Sequence, residues 1–138
     1  MVVIKSRAKR TEEFRITVDD GRAHSVCLDL PPEMGTDMGP TALELGVMSF
    51  SGCVATIFTL MAKKMRVPIS DLDVRVKAEK PEDARTVTKA DFEINVKTNE
   101  SEEKINRVWK KTRENCPVGI LFEQAGVQVD YKLKVMKQ

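Results

Sequence analysis

The chain has 138 residues, with 23 Lys and Arg against 21 Asp and Glu, and so even a balance excludes the strong basic field that nucleic acid or an acidic membrane surface calls for. That length suits one domain, residues 1–138, large enough to bury its own core. Three cysteines at scattered positions exclude the paired-disulfide framework of a small secreted domain, and the apolar part of the N-terminus is too short for a secretory signal, so a cytoplasmic location is expected.

In chain order, residues 2–9 predict a first strand with Val2 and Ile4 on one face, and Phe14, Ile16 and Val18 alternate through a second. Thr11, Glu12 and Glu13 are the turn between them. Asp19, Asp20 and Gly21 mark a hairpin, because Asp-Gly supplies the positive-φ residues that a tight turn needs. Val26, Leu28 and Leu30 form a third strand, ended by Pro31 and Pro32. Residues 32–39 are a turn-rich connection.

Residues 39–66 hold the longest apolar run of the chain, with Cys53 near its middle. Pro40 opens a helix there, since a proline at the first helical position gives up an amide hydrogen with no intrahelical partner. Leu43, Val47, Phe50, Val54, Ile57 and Met61 follow one helical face, while Leu45, Met48, Phe58 and Leu60 fall on others. A helix apolar all round is buried all round. The uncharged stretch 45–62 reaches the roughly 18 residues that raise a membrane-spanning reading. Gly46, Ser49, Ser51, Gly52, Thr56 and Thr59 dilute it, however, and amphipathic strands flank it, so a central helix wrapped by sheet is expected, with no membrane.

Beyond a break at Val67 and Pro68, Leu72, Val74, Val76 and Ala78 form a strand. A turn at Pro81, Glu82 and Asp83 leads to another through Ala90, Phe92, Ile94 and Val96. Ser101 caps a helix whose first turn carries Glu102 and Glu103 and whose apolar stripe is Ile105, Val108 and Trp109. It stops at Cys116, because a residue before proline is pushed out of the α region. Residues 117–124 make a short helix closed by Gly126, and Val127, Val129, Tyr131, Leu133 and Val135 a last strand. The order βββ-α-ββ-αα-β, without repeats, is that of one α+β domain.

The cysteines differ in setting. Cys27 lies on the strand face opposite Val26 and Leu28 with nothing nearby to activate it. Cys116 precedes Pro117 at a helix start, where free amides and the helix dipole are expected to lower a thiol's pKa. Cys53, read by itself, is first a small core residue. His24, the only histidine, sits in a hairpin and gives little ground for a Cys-His hydrolase. Without a C-x-x-C or paired histidines no zinc site is expected, and no other cofactor.

The run GPTALELGVMSFSGCVATIFTLMAKKMRVPISDLDVRVKAE, followed later by Cys116 and Pro117, resembles the OsmC/Ohr family of thiol-dependent peroxide reductases, and the order of elements agrees over essentially the whole chain. The most specific parts are Gly39 with Pro40, Glu44 with Leu45, Ser51-Gly52-Cys53, the stretch 67–76, and Cys116 with Pro117. The resemblance implies an OsmC-like α+β fold, antiparallel sheets wrapped around a long central helix, in an intertwined homodimer with its sites at the subunit interface. It also implies a peroxidase cycle against oxidative stress. Cys53 would attack an organic hydroperoxide or hydrogen peroxide as a thiolate, Cys116 would capture the sulfenic acid as a disulfide, and a dithiol reductant, lipoyl or thioredoxin-like, would reopen it.

A buried thiolate needs a cation beside it. The family takes an arginine from the N-terminal strands, where Arg7, Arg10 and Arg15 compete; Arg15 is favoured, between the packing side chains Phe14 and Ile16. The glutamate that orients this arginine in hydroperoxidases falls here on Leu43, leaving Glu44, about 100° around the helix, as its substitute. Leu43 also supports a second reading, in which an OsmC-like dimer binds a small apolar or sulfur-containing ligand or senses redox state without significant peroxidase activity.

Overall fold

Asp19 and Arg7 form the last rung of an N-terminal antiparallel meander, in the order β1 (Arg7–Glu12), β2 (Arg15–Asp19) and β3 (Ser25–Leu28). The computed structural model describes residues 1–138 as two compact units, Met1–Gly46 and Val47–Gln138. The first strand begins later than the alternation of Val2 and Ile4 predicts. Beyond Asp19 the partner strand has already turned, so residues 2–6 have no backbone to pair with, and both side chains are exposed. The β1–β2 turn falls on Glu13 and Phe14, with Glu13 at φ 47° and a register shift between Arg10 and Glu12. At the β2–β3 hairpin Gly21 takes φ 76°. There Asp20 Oδ1 accepts the Arg22 amide at 2.7 Å, the side-chain turn that favours Asp at such sites.

The connection after β3 is held by Asp29, a buried carboxylate that accepts the Thr36 hydroxyl at 2.6 Å and the amides of Leu30 and Met38 at 2.8 and 3.1 Å. Gly35 and Gly39 are required by close approach, since a Cβ there would collide with the carbonyl oxygens of Leu30 and Cys27 respectively. Helix α1 (Ala42–Lys64) does not start at Pro40, whose carbonyl instead accepts the Asp29 amide. Thr41 caps it: the Glu44 amide donates to Thr41 Oγ1 at 3.1 Å and the Thr41 amide to Glu44 Oε1 at 2.9 Å, a reciprocal capping box.

The second unit stacks α1 on the sheet β4 (Asp71–Glu79), β5 (Lys89–Lys97) and β6 (Gln128–Met136), in the order β4-β5-β6. The sheet is mixed rather than antiparallel: β4 and β5 are antiparallel, β5 and β6 parallel. A parallel return needs a long crossover, supplied here by α2 (Glu102–Asn115) and α3 (Pro117–Gln124). The central β5 buries Ala90, Phe92, Ile94 and Val96, whereas β4 and β6 alternate between exposed and half-buried positions. By length and composition α1 could cross a membrane. Its fully buried stripe is nevertheless narrow: Phe50, Val54, Phe58 and Ala62, spaced by four, share one core with β5 and with Ile105 and Val108 of α2. Phe50 meets the rings of Phe92 and Phe122 at 4.5 Å each, and burying each such side chain stabilises the unit by roughly 2–3 kcal/mol.

Candidate active site

Two of the predicted site residues come together in the second unit. Cys53 projects from α1 beside buried Val54 and is half-buried. Pro117 holds Cys116 in an extended conformation (φ −83°, ψ 103°), so that one residue ends α2 and begins α3 with its thiol buried, 3% exposed. The two side chains are close enough for Cys53 to act on the ionisation of Cys116 through both hydrogen bonding and charge. Beside them Gly119 is tightly packed, since a Cβ there would stand 3.3 Å from both Cys116 Sγ and Phe50 Cε1.

The expected lowering of the Cys116 pKa by a helix start is not found. Burial pushes this thiol up to about 11, and Cys53 adds to the rise, while the amides of Gly119 and Val118 pull it down by less. Taking a thiolate out of water outweighs a helix terminus that offers the sulfur no full capping hydrogen bond. Cys116 therefore stays a protonated thiol at neutral pH.

The other predicted residues lie in the first unit. Arg15 is fixed by acidic neighbours: its Nη1 stands 3.1 Å from Glu12 Oε2 and its Nε 3.8 Å from Asp29 Oδ2, and Nε donates to Thr36 Oγ1 at 3.2 Å. Arg10 Nε donates to the Glu13 carbonyl, and Arg7 pairs through its backbone, opposite Asp19. Glu44 is engaged in the α1 cap, and Leu43 is exposed. His24 lies in the exposed hairpin with Nδ1 2.7 Å from Asp20 Oδ2, and Cys27 is exposed. Nowhere do three His, Cys, Asp or Glu side chains converge in a way that could hold a metal ion.

Asp29 was not legible as a site-organising residue. Its hydrogen bonds from Thr36, Met38 and Leu30 hold its pKa at about 2 against the cost of burial, which keeps a carboxylate beside Arg15. A second group equally hidden in the sequence stands near Cys116. Tyr131 is edge-on to Trp109 at 4.9 Å and lies under the Arg113 guanidinium at 4.7 Å, and its hydroxyl donates to Glu123 Oε1 at 3.3 Å. Burial, and then the Glu123 carboxylate, push this phenol well above its usual range. Three successive elements, α2, α3 and β6, contribute these groups, and only their packing brings the side chains together.

Residues 35–132 match the family model described as OsmC-like protein. Among curated proteins no match was found. Of the solved structures, an OsmC-like protein from Mycoplasma pneumoniae superposes with a TM-score of 0.88 at 15% identity, covering 98% of each chain. The organic hydroperoxide resistance protein OhrB of Bacillus subtilis superposes with a TM-score of 0.66 at 20% identity, covering 96% of this chain and 98% of its own. An organic hydroperoxide resistance protein OsmC from Legionella pneumophila gives 0.69 at 16% identity, covering 98% and 97%.

Proposed function

The chain belongs to the OsmC-like protein family, and on that premise we propose that it is a two-cysteine peroxidase that reduces organic hydroperoxides. The observation that carries this reading is the pairing of a half-buried thiol, Cys53, with a buried one, Cys116, whose protonated form is favoured. The asymmetry distributes the roles. Substrate reaches the more accessible sulfur, and Cys116 can donate its S–H towards a Cys53 thiolate while waiting to resolve the product.

In the first step the Cys53 thiolate attacks one peroxide oxygen and the O–O bond breaks. Cys53 becomes a sulfenic acid, and the alkoxide leaves and takes a proton to give the alcohol. Cys116 then attacks the sulfenic sulfur, its thiol proton and the departing hydroxyl form water, and a Cys53–Cys116 disulfide results. A dithiol reductant, lipoyl or thioredoxin-like, returns both thiols by exchange.

The proposed assembly is an intertwined homodimer. On α1, Met48 and Leu60 are 53% and 42% exposed on faces that the sheet of their own unit does not cover, and Gly52 and Thr56 between them leave room for close approach by a second helix. In that dimer Arg15 is the proposed activating cation. Glu12 and Asp29 already hold its guanidinium, so the orienting work assigned elsewhere to a glutamate passes to them, while Glu44 serves the helix cap. The commitment of Glu44 to that cap, with Leu43 beside it, is what favours the second reading, a ligand-binding or redox-sensing dimer.

Stopped-flow oxidation of the reduced protein by cumene hydroperoxide and by hydrogen peroxide separates the two. The peroxidase is expected to react far faster than a free thiol, to require Cys53, and to end with Cys53 and Cys116 joined and Cys27 free. Oxidation at the free-thiol rate, unchanged in Cys53→Ser, leaves the ligand-binding dimer.

A further inference from the structure

At the C-terminal end of α1, about 14 Å along the helix from Cys53 at 1.5 Å per residue, the second unit carries a cavity of about 410 Å³. Its walls include Ala62, Val67, Pro68 and Ile69, and its charged groups are Lys63 and Arg66. Neither cation takes part in any of the ion pairs of the structure. Arg66 also lines a smaller cavity of about 120 Å³ together with Lys104 and Arg107. Lys104 and Arg107 are already neutralised, by Glu100 at 3.0 Å and Glu103 at 2.8 Å.

Arg66, like Glu13, Ala23, Glu33 and Asp37 elsewhere in the chain, also holds a left-handed backbone position. It sits at φ 56°, where the Val67 amide reaches back to the Ala62 carbonyl at 2.9 Å and the Arg66 amide to that of Lys63 at 3.1 Å, closing the helix. Glycine takes this left-handed position without strain. The helix dipole accounts for positive charge in the last turn, but it does not account for an arginine where glycine fits best. A cationic residue in a strained backbone position that lines a cavity is a reason to look for a ligand.

We infer that this cavity binds an organic carboxylate, with the carboxylate between Arg66 and Lys63 and an apolar body against Ala62, Val67, Pro68 and Ile69. A guanidinium fork suits a planar carboxylate, the volume lies in the range of small-molecule sites, and the apolar walls select an amphiphile over a free inorganic anion. The site is separate from the cysteine pair and independent of the peroxidase reading.

The test is a methyl NMR titration of the full chain with sodium octanoate, 1-octanol and inorganic phosphate. Octanoate is expected to shift the Val67 and Ile69 methyls saturably, one per chain, with at least tenfold weaker binding in Arg66→Gly and several-fold weaker binding in Lys63→Gln. Cys53→Ser should leave it unchanged, and Arg66→Gly should leave peroxide consumption unchanged. Because glycine relieves the backbone, Arg66→Gly should melt no lower than the parent, which separates lost binding from lost fold; should it not fold, Lys63→Gln decides. The inference is overturned by an absence of saturation at Val67 and Ile69, by equally tight binding of 1-octanol or phosphate there, or by octanoate binding that disappears in Cys53→Ser.

Discussion

Gly119 and Cys116 stand so close that a single added methyl group at residue 119 would lie 3.3 Å from the Cys116 sulfur, and equally near the Phe50 ring. Phe92 and Phe122 flank Phe50 at 4.5 Å and restrict its retreat. Gly119→Ala gains helix propensity of about 1 kcal/mol, yet overpacking of a rigid core costs about 1–3 kcal/mol. Net destabilisation of about 1 kcal/mol is expected in urea unfolding, with slower closure of the Cys53–Cys116 disulfide. A Gly119→Ala protein as stable as the parent would show that the thiol and ring have room to shift.

The raised pKa of Cys116 sets a pH window. Its folded value of about 11 lies above the ordinary 9.0, so the folded chain favours the neutral thiol. The resulting stabilisation is complete below pH 9 and is lost as pH rises through 11, since there the unfolded chain gives up its proton first. The loss is on the order of 3 kcal/mol. Denaturation between pH 8 and 11 should show this decline, and Cys116→Ala should flatten it. Iodoacetamide labelling read by mass spectrometry should find Cys116 slow at pH 8 and accelerating towards pH 11.

The capping box gives a prediction on stability rather than chemistry. Thr41→Ala removes the oxygen that accepts the Glu44 amide and should cost about 1 kcal/mol. Glu44→Gln keeps an acceptor for the Thr41 amide and should cost less. If Glu44 acts only as a cap, Glu44→Gln retains its peroxide reaction rate; a rate loss of tenfold or more with unchanged stability would assign it the orienting role instead.

Asp29 has a lowered pKa of about 2, so its hold on the connection after β3 is present above the usual carboxylate range and is lost as pH falls towards 2. Hydrogen exchange at the Thr36 and Met38 amides, both donors to Asp29, should stay slow down to pH 3 and accelerate below it. Asp29→Asn should accelerate both amides at neutral pH and loosen Arg15, lowering the rate of peroxide attack. Protection unchanged in Asp29→Asn would remove Asp29 from the support of Arg15.

Much of the secondary structure was legible because it is written at short range. Alternation identified β4 and β5, Ser101 and its acidic first turn identified the start of α2, and Pro117 identified the junction at Cys116. Errors arose where a partner at long range decides. Val2 and Ile4 alternate as a strand does, but β2 ends before it can pair with them. Pro40 has the chemistry of a first helical residue, but Thr41 and Glu44 offer the stronger cap.

The sequence by itself determined the order of the elements, the two cysteine positions and the family, because periodicity, prolines and motif residues act on their immediate neighbours. Tertiary structure alone decided that β6 runs parallel to β5, that Glu123 and Arg113 gather about Tyr131, and that Cys116 is a weakly acidic thiol instead of an activated one. The physical reason is the same in each case. Strand pairing and desolvation depend on what surrounds a group in space, and for Cys116 the cost of burying a charge exceeds what the nearby helix amides return.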